Sequence, residues 1–169
     1  MTGNPETDIH QTPKTVDYSR VTMSHMMLPQ DANPSGNVHG GVIMKLIDSA
    51  AGGGAIPHAR SNVVTASIDR LDFHHPVYVG NLVTLEAQLN WVGKSSMEIG
   101  VRAESEDLVS GLIRHVATAY LTFVALDENG RLASRALLDS ETVPSVVTID
   151  FSVYSHPNPT RMMNAPPLA

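Results

Sequence analysis

The arrangement of this chain is constrained most by a change of hydrophobic period after residue 54. From His39 to about Gly54 the apolar residues recur at helical spacing and cover a wide arc of one helix. The members of that arc are Val42, Ile43, Leu46, Ile47 and Ala50. Later in the chain, apolar and polar residues alternate, which is the pattern of strands with one buried face. We therefore expect one largely buried helix followed by long antiparallel strands.

The strands give the fold class. They are expected at 21–28, 64–69, 83–91, 96–103 and 113–126. A Gly93-Lys94 break between the third and fourth of them predicts a hairpin. One helix and a set of antiparallel strands make an α+β domain, and the simplest packing wraps the sheet around the helix.

The ends of the helix and the edge of the sheet carry further expectations. Asn37 is a candidate cap for the helix start, and Gly52, Gly53 and Gly54 are candidates for its end. A long edge strand leaves unpaired N–H and C=O groups exposed, so we expect two copies of the chain to pair.

The chain of 169 residues suits a single domain. Residues 1–17 are polar and predict a flexible arm, and 18–139 form the domain. Residues 140–169 hold five of the eleven prolines and predict an extension. Alternation of apolar residues over 147–153 indicates that part of this extension adds one strand.

Composition narrows the function classes. The chain has no cysteine, which excludes disulfides, thiolate nucleophiles and cysteine-ligated zinc. The net charge of -6, with no long basic run, makes nucleic acid an unexpected partner. No apolar stretch approaches the ~18 residues of a membrane span, and the start lacks the apolar core of a signal peptide. We expect a cytoplasmic protein without a membrane partner.

Several common motifs are missing from the sequence. It has no Gly-x-Ser-x-Gly elbow, no P-loop and no dinucleotide fingerprint. The neighbours His74 and His75 point to opposite faces of a strand, which makes them a poor metal site, and structural roles are expected for both. We expect neither a metal nor a cofactor.

The segment Asn37-Val38-His39-Gly40-Gly41 is the main candidate site. Two glycines at a helix start leave backbone N–H groups open to a ligand, and the helix dipole adds partial positive charge there. Such donors can hold the oxyanion that forms when a carbonyl is attacked. An ordinary helix start, with Asn37 as its cap, is the alternative reading.

Asp48 lies two turns further along the same side of the helix. A carboxylate at the margin of an apolar arc can act as a general base for water. The alternative is a solvated side chain beside Lys45. Asn37 and Asp48 would be roughly 12–16 Å apart within one chain, so they can share a substrate atom only if a second protomer supplies one of them.

Cations and hydroxyls elsewhere are candidates for phosphate or pantetheine contacts. The hairpin tip carries Lys94, Ser95 and Ser96. Arg60, Arg70 and Arg102 are further candidates, although most such side chains are merely solvated.

From about 21 to 132 the chain resembles the hotdog-fold acyl-CoA thioesterases, in particular the cytosolic (brain-type) acyl-CoA hydrolases and their single-hotdog bacterial relatives. The ordered series of matching runs covers about two-thirds of the chain. The runs are Asp31-Ala32-Asn33, Gly36-Asn37-Val38-His39-Gly40-Gly41, Met44-Lys45-Leu46, Asp48, Thr65-Ala66-Ser67-Ile68-Asp69, Asp72-Phe73-His74 and Lys94-Ser95-Ser96-Met97-Glu98-Ile99.

The resemblance implies hydrolysis of a fatty-acyl-CoA to a fatty acid and CoA, with coenzyme A as part of the substrate. It assigns the catalytic pair to Asn37 and Asp48 from different hotdog units, with Asp48 as general base or nucleophile. Amides of Gly40 or Gly41 would polarise the thioester. His39, Lys94, Ser95, Ser96 and Arg70 would contact substrate. It also implies at least a homodimer, and further assembly into a hexamer as a trimer of dimers.

Two other functions stay open at this point. A hotdog dehydratase or hydratase would use a histidine and an acid, and His39 is a candidate for the first. A non-catalytic acyl-CoA sensor is the second, although the arm of 17 residues is too short for a DNA-binding segment.

Overall fold

The computed structural model describes residues 16–133. A short 3-10 helix, Val16–Ser19, precedes strand β1, Val21–Met26, and a second, Pro29–Asp31, follows it. The helix α1 covers Gly40–Ala59. The remaining strands are β2 (Asn62–Phe73), β3 (Leu82–Val92), β4 (Ser96–Glu106) and β5 (Ile113–Leu126). The expected C-terminal extension, with its possible strand, and all but the last two residues of the expected arm lie outside the described residues.

The five strands form one antiparallel sheet in the order β1-β3-β4-β5-β2. The sheet packs its inner face on α1, which contacts every strand. The α+β prediction of a sheet around a central helix is therefore confirmed. Ile43, Ile47 and Ala50 of the predicted arc are buried, whereas Val42 and Leu46 pack against the core while partly exposed.

The predicted start of the helix is right to within one residue, but its predicted cap and its predicted end were wrong. His39 caps the start: its Nδ1 accepts the Gly41 N–H at 3.0 Å. The glycines do not end the helix, which continues to Ala59 and stops at Arg60 in the left-handed conformation, φ 51°. A Cβ at Gly54 would lie 2.7 Å from the carbonyl oxygen of Ser19, so this glycine allows the helix to cross the first 3-10 turn closely.

The edge strand β2 differs from the other long strands. It pairs only with β5 in the described part of the chain, and register shifts interrupt this pairing on both sides of the segment Ser67–Ile68. Bulges of this kind bend and twist a strand. Most β2 side chains are exposed, including Val64 and Ile68 at about 40 %. The expectation of a long exposed edge is confirmed.

Candidate active site

A closed loop leads into the helix. The Asn33 N–H donates to the carbonyl oxygen of Asn37 at 2.6 Å, and Asn33 Oδ1 accepts N–H groups of Ser35 (2.8 Å) and Asn37 (3.3 Å). Asn37 also forms a β-bridge with Tyr78. Both asparagines are half-buried. The backbone of Asn37 is therefore fixed by the loop rather than engaged as a helix cap.

At the helix start, one of the two glycine amides is taken and the other is open. His39 donates its own N–H to the Asp31 carbonyl oxygen at 2.8 Å and accepts the Gly41 N–H through its ring. The Gly40 N–H has no hydrogen-bond partner within residues 16–133. Because helix-terminal amides carry partial positive charge, Gly40 presents the donor that can polarise a carbonyl.

Asp48 is exposed on the helix and is held by the sheet. Its Oδ1 accepts a 2.5 Å hydrogen bond from the hydroxyl of Thr65 on β2. Lys45 and Asp48 are both exposed, as the alternative of a solvated side chain expects, but no ion pair joins them in the described part of the chain. Because the Thr65 hydroxyl bonds Oδ1, the Oδ2 atom of Asp48 can accept a proton from a bound water.

Thr65 is a candidate site residue that sequence reasoning missed. Its hydroxyl lies 17 residues from Asp48 in the chain, and only the packing of the helix on β2 brings the two together. The single signal in the sequence was its place in a run shared with the resembled family, where it read as an ordinary polar position of an alternating strand.

The two candidate groups lie toward opposite ends of β2. Asp48 contacts Thr65 near the start of the strand, whereas Gly40 lies 3.7 Å from the ring of Phe73, its last residue, measured from a Cβ built on the glycine. Along the helix alone, eight residues separate Gly40 from Asp48 by about 12 Å. One thioester cannot contact both groups of one chain.

A cavity of about 260 Å³ adjoins Gly40. Its walls are mostly apolar, from Val38, Ile43, Phe73, Pro76, Val77 and Val116, with His74 and His75 at one side. The space can take an apolar group attached to a carbonyl that sits on the Gly40 amide.

The histidines beside this cavity form a packed group. The His74 and His115 rings lie 4.5 Å apart, and His75 Nδ1 hydrogen-bonds the His115 carbonyl oxygen at 2.8 Å. Burial lowers the pKa of His115, and the positive charge of Arg102 and the neighbouring His74 lower it further. These contacts agree with the structural role expected for His74 and His75.

The hairpin between β3 and β4 presents the second group of predicted residues. Lys94 is exposed at its tip, with Ser95 and Ser96 half-buried beside it. The Ser95 carbonyl oxygen accepts the Ala125 N–H at 2.8 Å, which ties the tip to β5. A Cβ at Gly93 would lie 2.7 Å from the indole of Trp91, so a larger residue here would require the half-exposed Trp91 ring to move.

The candidate arginines are engaged with neighbours. Arg70 pairs with Asp72, and Arg102 pairs with Glu104 at 2.7 Å. Arg60 lies over the ring of Tyr18 and donates to its hydroxyl. Lys94, by contrast, has no ion pair among the described residues.

Within residues 16–133, no three His, Asp or Glu side chains are grouped as a metal site would need. None of the helices in that part of the chain combines the length and hydropathy that a bilayer span requires.

Comparison with known proteins places this geometry in a family. Residues 35–111 match the model of the thioesterase superfamily. An acyl-CoA thioester hydrolase of Bacillus subtilis, described as uncharacterized, is 42 % identical over 127 residues, covering 75 % of this chain and 70 % of that protein. The cytosolic acyl coenzyme A thioester hydrolase of Homo sapiens is 37 % identical over 130 residues, 76 % of this chain. The chain spans only about a third of the human protein, with 33 % covered.

Solved structures agree. An acyl-CoA hydrolase of Staphylococcus aureus, in complex with butyryl coenzyme A, coenzyme A and coenzyme A disulfide, is 35 % identical, with a TM-score of 0.68 over 73 % of this chain and 75 % of that one. An apo-hexameric acyl-CoA thioesterase is 34 % identical, with a TM-score of 0.73 over 90 % and 94 %.

The Staphylococcus aureus hydrolase has also been solved with an aspartate, a threonine or an asparagine replaced by alanine. By their residue numbers, that asparagine lies 15 positions before the aspartate, and the threonine 17 positions after it. The family match, the identity over most of the bacterial relative and the shared fold agree, and the chain belongs to the thioesterase superfamily, among its hotdog-fold acyl-CoA thioester hydrolases.

Proposed function

We propose that this protein is an enzyme that hydrolyses fatty-acyl-CoA to a free fatty acid and CoA. The observation that carries the proposal is the pair of groups on the exposed β2 edge: an open helix-terminal amide at Gly40 and a carboxylate at Asp48 held by Thr65. A thioester hydrolase needs both, one for the developing oxyanion and one for water. Family membership supplies the substrate class.

The active site would be shared between two protomers. A two-fold axis through the middle of β2 pairs the strand with its own copy and reverses its direction. The Asp48 end of one protomer then lies beside the Gly40 end of its partner. The same operation brings Arg70 of one protomer opposite Thr65 of the other, because these residues are equidistant from the centre of Asn62–Phe73. The exposed Val64 and Ile68 support this assembly, since pairing would cover them.

Two asparagines compete for the role of catalytic amide. Asn37 follows from the resemblance and would orient water or the thioester from the partner protomer. Asn33 is supported by spacing: it lies 15 residues before Asp48, and Thr65 lies 17 after it, as in the three positions replaced in the Staphylococcus aureus hydrolase. The loop couples the two, because Asn33 Oδ1 accepts the Asn37 N–H.

The reaction follows from these groups. Asp48 accepts a proton from water, whose oxygen attacks the thioester carbon, and the carbonyl oxygen becomes an oxyanion on the Gly40 N–H. The C–S bond then breaks, and the CoA thiolate takes the proton that Asp48 received. In the alternative path, Asp48 attacks directly and water hydrolyses the resulting anhydride. Thr65 would orient the carboxylate in either path.

The remaining predicted residues would hold the substrate. The cavity beside Gly40 accepts the acyl group, on its apolar walls. Gly41 acts indirectly, because its N–H fixes the His39 ring, which would border the bound thioester. Lys94, Ser95 and Ser96 would contact the pantetheine or phosphate portion of CoA from the hairpin tip, together with Arg70 of the opposite protomer.

We extend the proposal to assembly and location. Dimers of this kind would associate into a hexamer as a trimer of dimers, in line with the hexameric relative. A cytoplasmic location is supported by the human relative, which is named cytosolic.

The test is thiol release from acyl-CoA esters of increasing chain length, measured beside hydration of crotonyl-CoA. Hydrolysis of at least one saturated ester, without hydration, is expected. Hydration without hydrolysis would instead establish the dehydratase or hydratase alternative, and stoichiometric binding without turnover would establish the sensor.

A pair of variants then assigns the asparagine. Asn33→Ala and Asn37→Ala are each mixed with Asp48→Asn protein. The catalytic asparagine is the one whose inactive variant regains activity on mixing, because a mixed dimer contains one intact site. The variant that keeps its activity alone identifies the asparagine that serves only the loop.

A further inference from the structure

A bulge in the edge strand β2 decides which way Thr65 points. Thr65 lies opposite Phe123 of β5 and Ser67 lies opposite Thr122, so Ala66 between them is an extra residue. Residues directly opposite each other share a face, and successive residues of a strand alternate between faces. Phe123 belongs to the core, and Thr122 therefore faces the other way. Thr65 and Ser67 thus lie on opposite faces although they are two residues apart, which a regular strand does not allow.

A second bulge follows at Asp69. Ile68 lies opposite Leu121 and Arg70 lies opposite Tyr120, so Asp69 is the extra residue here. Leu121 belongs to the core, which puts Ile68 on the inner face of the sheet and Arg70 on the outer face. The first bulge exchanges the faces of the alternating pattern and the second restores them. The two bulges therefore enclose a short inverted segment of β2.

The carboxylate of Asp69 holds this inverted segment to the neighbouring strand. Its Oδ1 accepts the Ser67 hydroxyl and its Oδ2 accepts the Thr122 hydroxyl, each at 2.7 Å. Ser67 and Thr122 are themselves a cross-strand pair, so one side chain bonds both members of the pair between the bulges. The Thr122 bond, followed by the Ser67 bond, keeps the pKa of Asp69 below its usual value. Hydrogen bonds to an ionised carboxylate are stronger than those between neutral groups.

The segment that Asp69 holds begins directly after the residue that holds Asp48. Thr65 precedes the first bulge, and its hydroxyl bonds Asp48 Oδ1 at 2.5 Å. Hydrogen bonds weaken steeply when donor and acceptor are misaligned, and a slip of one residue in β2 would turn Thr65 to the other face. Asp69 fixes Ser67, two residues further on, and this fixes the path of the strand as it leaves Thr65.

Nothing in the proposed reaction uses Asp69 directly. Both of its oxygens accept hydrogen bonds, and its partner Thr122 lies on the face of the sheet opposite to α1. We infer that Asp69 is a positioning residue of the hydrolase: it holds the bulged segment of β2 and so keeps Thr65 against Asp48. The inference rests on the proposed function for the role of Asp48.

Two replacements of Asp69, made in the full chain, separate positioning from catalysis. Asp69→Ala removes both hydrogen bonds, and kcat for an acyl-CoA should fall about ten- to a hundredfold, as expected when a catalytic group is displaced by about 1 Å. Asp69→Asn keeps the shape, and its amide can still bond both hydroxyls, because a serine or threonine hydroxyl donates or accepts. This variant should keep kcat within about threefold of the wild type. Equal losses in both variants would show that the charge itself is needed and would overturn the inference.

Ser67→Ala gives a milder form of the same test, because it removes one of the two hydrogen bonds to Asp69. Its kcat should fall less than that of Asp69→Ala, with circular dichroism confirming that each variant is folded. An unchanged kcat in both Ser67→Ala and Asp69→Ala would contradict a positioning role.

Thr65→Val tests the route by which Asp69 acts. If Asp69 acts through Thr65, adding Asp69→Ala to Thr65→Val should lower kcat by less than about a further twofold, and losses that multiply would overturn the inference. Asp127→Ala is the matched control, since this carboxylate also accepts two hydrogen bonds, from the N–H groups of Asn129 and Arg131 at 2.9 Å, in the turn after β5. It should leave kcat unchanged, and a loss equal to that of Asp69→Ala would count against a specific role.

Crystal structures of the wild type and Asp69→Ala keep the two proposals apart, because the distance from Thr65 Oγ1 to Asp48 Oδ1 is measured without turnover. This distance should exceed hydrogen-bonding range in the variant, and an unchanged distance would refute the positioning role alone. Absence of turnover in the wild type would refute the hydrolase proposal alone. Sedimentation completes the test: an Asp69→Ala protein that loses activity by dissociating would show an effect on assembly and would contradict the inference.

Discussion

The central strands β3 and β4 differ from the edge strand β2 in how far their apolar side chains are buried. On β3 and β4 the inward residues are sealed from solvent: Val83, Leu85, Val101 and Ala103 are 0 % exposed. On β2 the same kind of alternating sequence leaves Val64 and Ile68 about 40 % exposed. The central strands are paired on both sides within one chain, whereas the edge strand, which carries both proposed catalytic ends, would be covered only in the proposed dimer. Stability and function should therefore respond to different mutations.

The largest expected effect is the loss of turnover when Asp48, which Thr65 of the edge strand holds, is replaced. Asp48→Asn keeps the shape of the side chain and removes the charge that the chemistry needs. General-base assistance supplies about 10²- to 10⁴-fold in rate, so kcat for an acyl-CoA should fall at least that far, with a smaller change in KM. Circular dichroism checks that the variant is folded.

Lys45→Gln is the matched control on the same helix face, and it should retain kcat because no ion pair joins Lys45 to Asp48. A folded Asp48→Asn protein with near-normal kcat would remove Asp48 from the mechanism and leave the edge without its central group.

The second prediction separates assembly from folding. Ile68→Asp places a charge on the exposed face of β2, where it is solvated in a single chain and is desolvated if two β2 strands pair. The variant should stay folded, sediment as a smaller species and lose most activity. Leu85→Ala in the core should do the reverse: a loss of about 2–5 kcal/mol in the free energy of unfolding, with the assembly unchanged while the protein is folded. A fully active Ile68→Asp monomer would contradict the shared site.

The sequence predicted the central strand β3 almost in full, as 83–91 against Leu82–Val92, but only half of the edge strand β2, as 64–69 against Asn62–Phe73. Alternation reports one covered face and not what covers it. The sequence did not predict that the helix runs through Gly52–Gly54. At Gly54, glycine is explained by the close approach to Ser19, which is distant in sequence. The sequence offered Asn37 as the cap, because asparagine is a preferred capping residue, whereas the ring of His39 accepts the Gly41 amide instead. Local order made Asn37, Asp48 and Gly40 candidates, and they stay candidates, whereas Thr65 became one only through the packing of the helix on β2.

A smaller effect on stability tests the close approach of α1 to the first 3-10 turn, at Gly54 and Ser19. Gly54→Ala would bring a Cβ to 2.7 Å from the Ser19 carbonyl oxygen, so the 3-10 turn or the helix must shift. Overpacking of this kind costs about 1–3 kcal/mol in the free energy of unfolding. Gly52→Ala is the control: its nearest contact would be Phe123 at 4.0 Å, and the change should be neutral or stabilise the helix by up to about 1 kcal/mol. Thermal and denaturant unfolding measure both, and equal stability of the two variants would remove the crossing as the reason for glycine.

The smallest expected effect lies on β5, the strand between the sealed centre and the exposed edge. Burial, then the charge of Arg102, then His74 lower the pKa of His115, and these outweigh the Ala117 carbonyl oxygen and the Glu104 carboxylate, which raise it. Below the ordinary histidine pKa of about 6.5, the unfolded chain binds a proton at this ring more readily than the folded chain does, so the stability it supports falls as the pH falls through that value. His115→Gln should therefore flatten the dependence of unfolding free energy on pH as the pH falls below about 6.5, because glutamine does not titrate. Because the ring is only partly buried, solvent screening keeps this change small.

His25→Gln, an exposed position on β1, controls for the loss of an imidazole elsewhere. Chemical denaturation at closely spaced pH values measures the slope, and an unchanged slope in His115→Gln would show that this ring does not contribute to the pH dependence of stability.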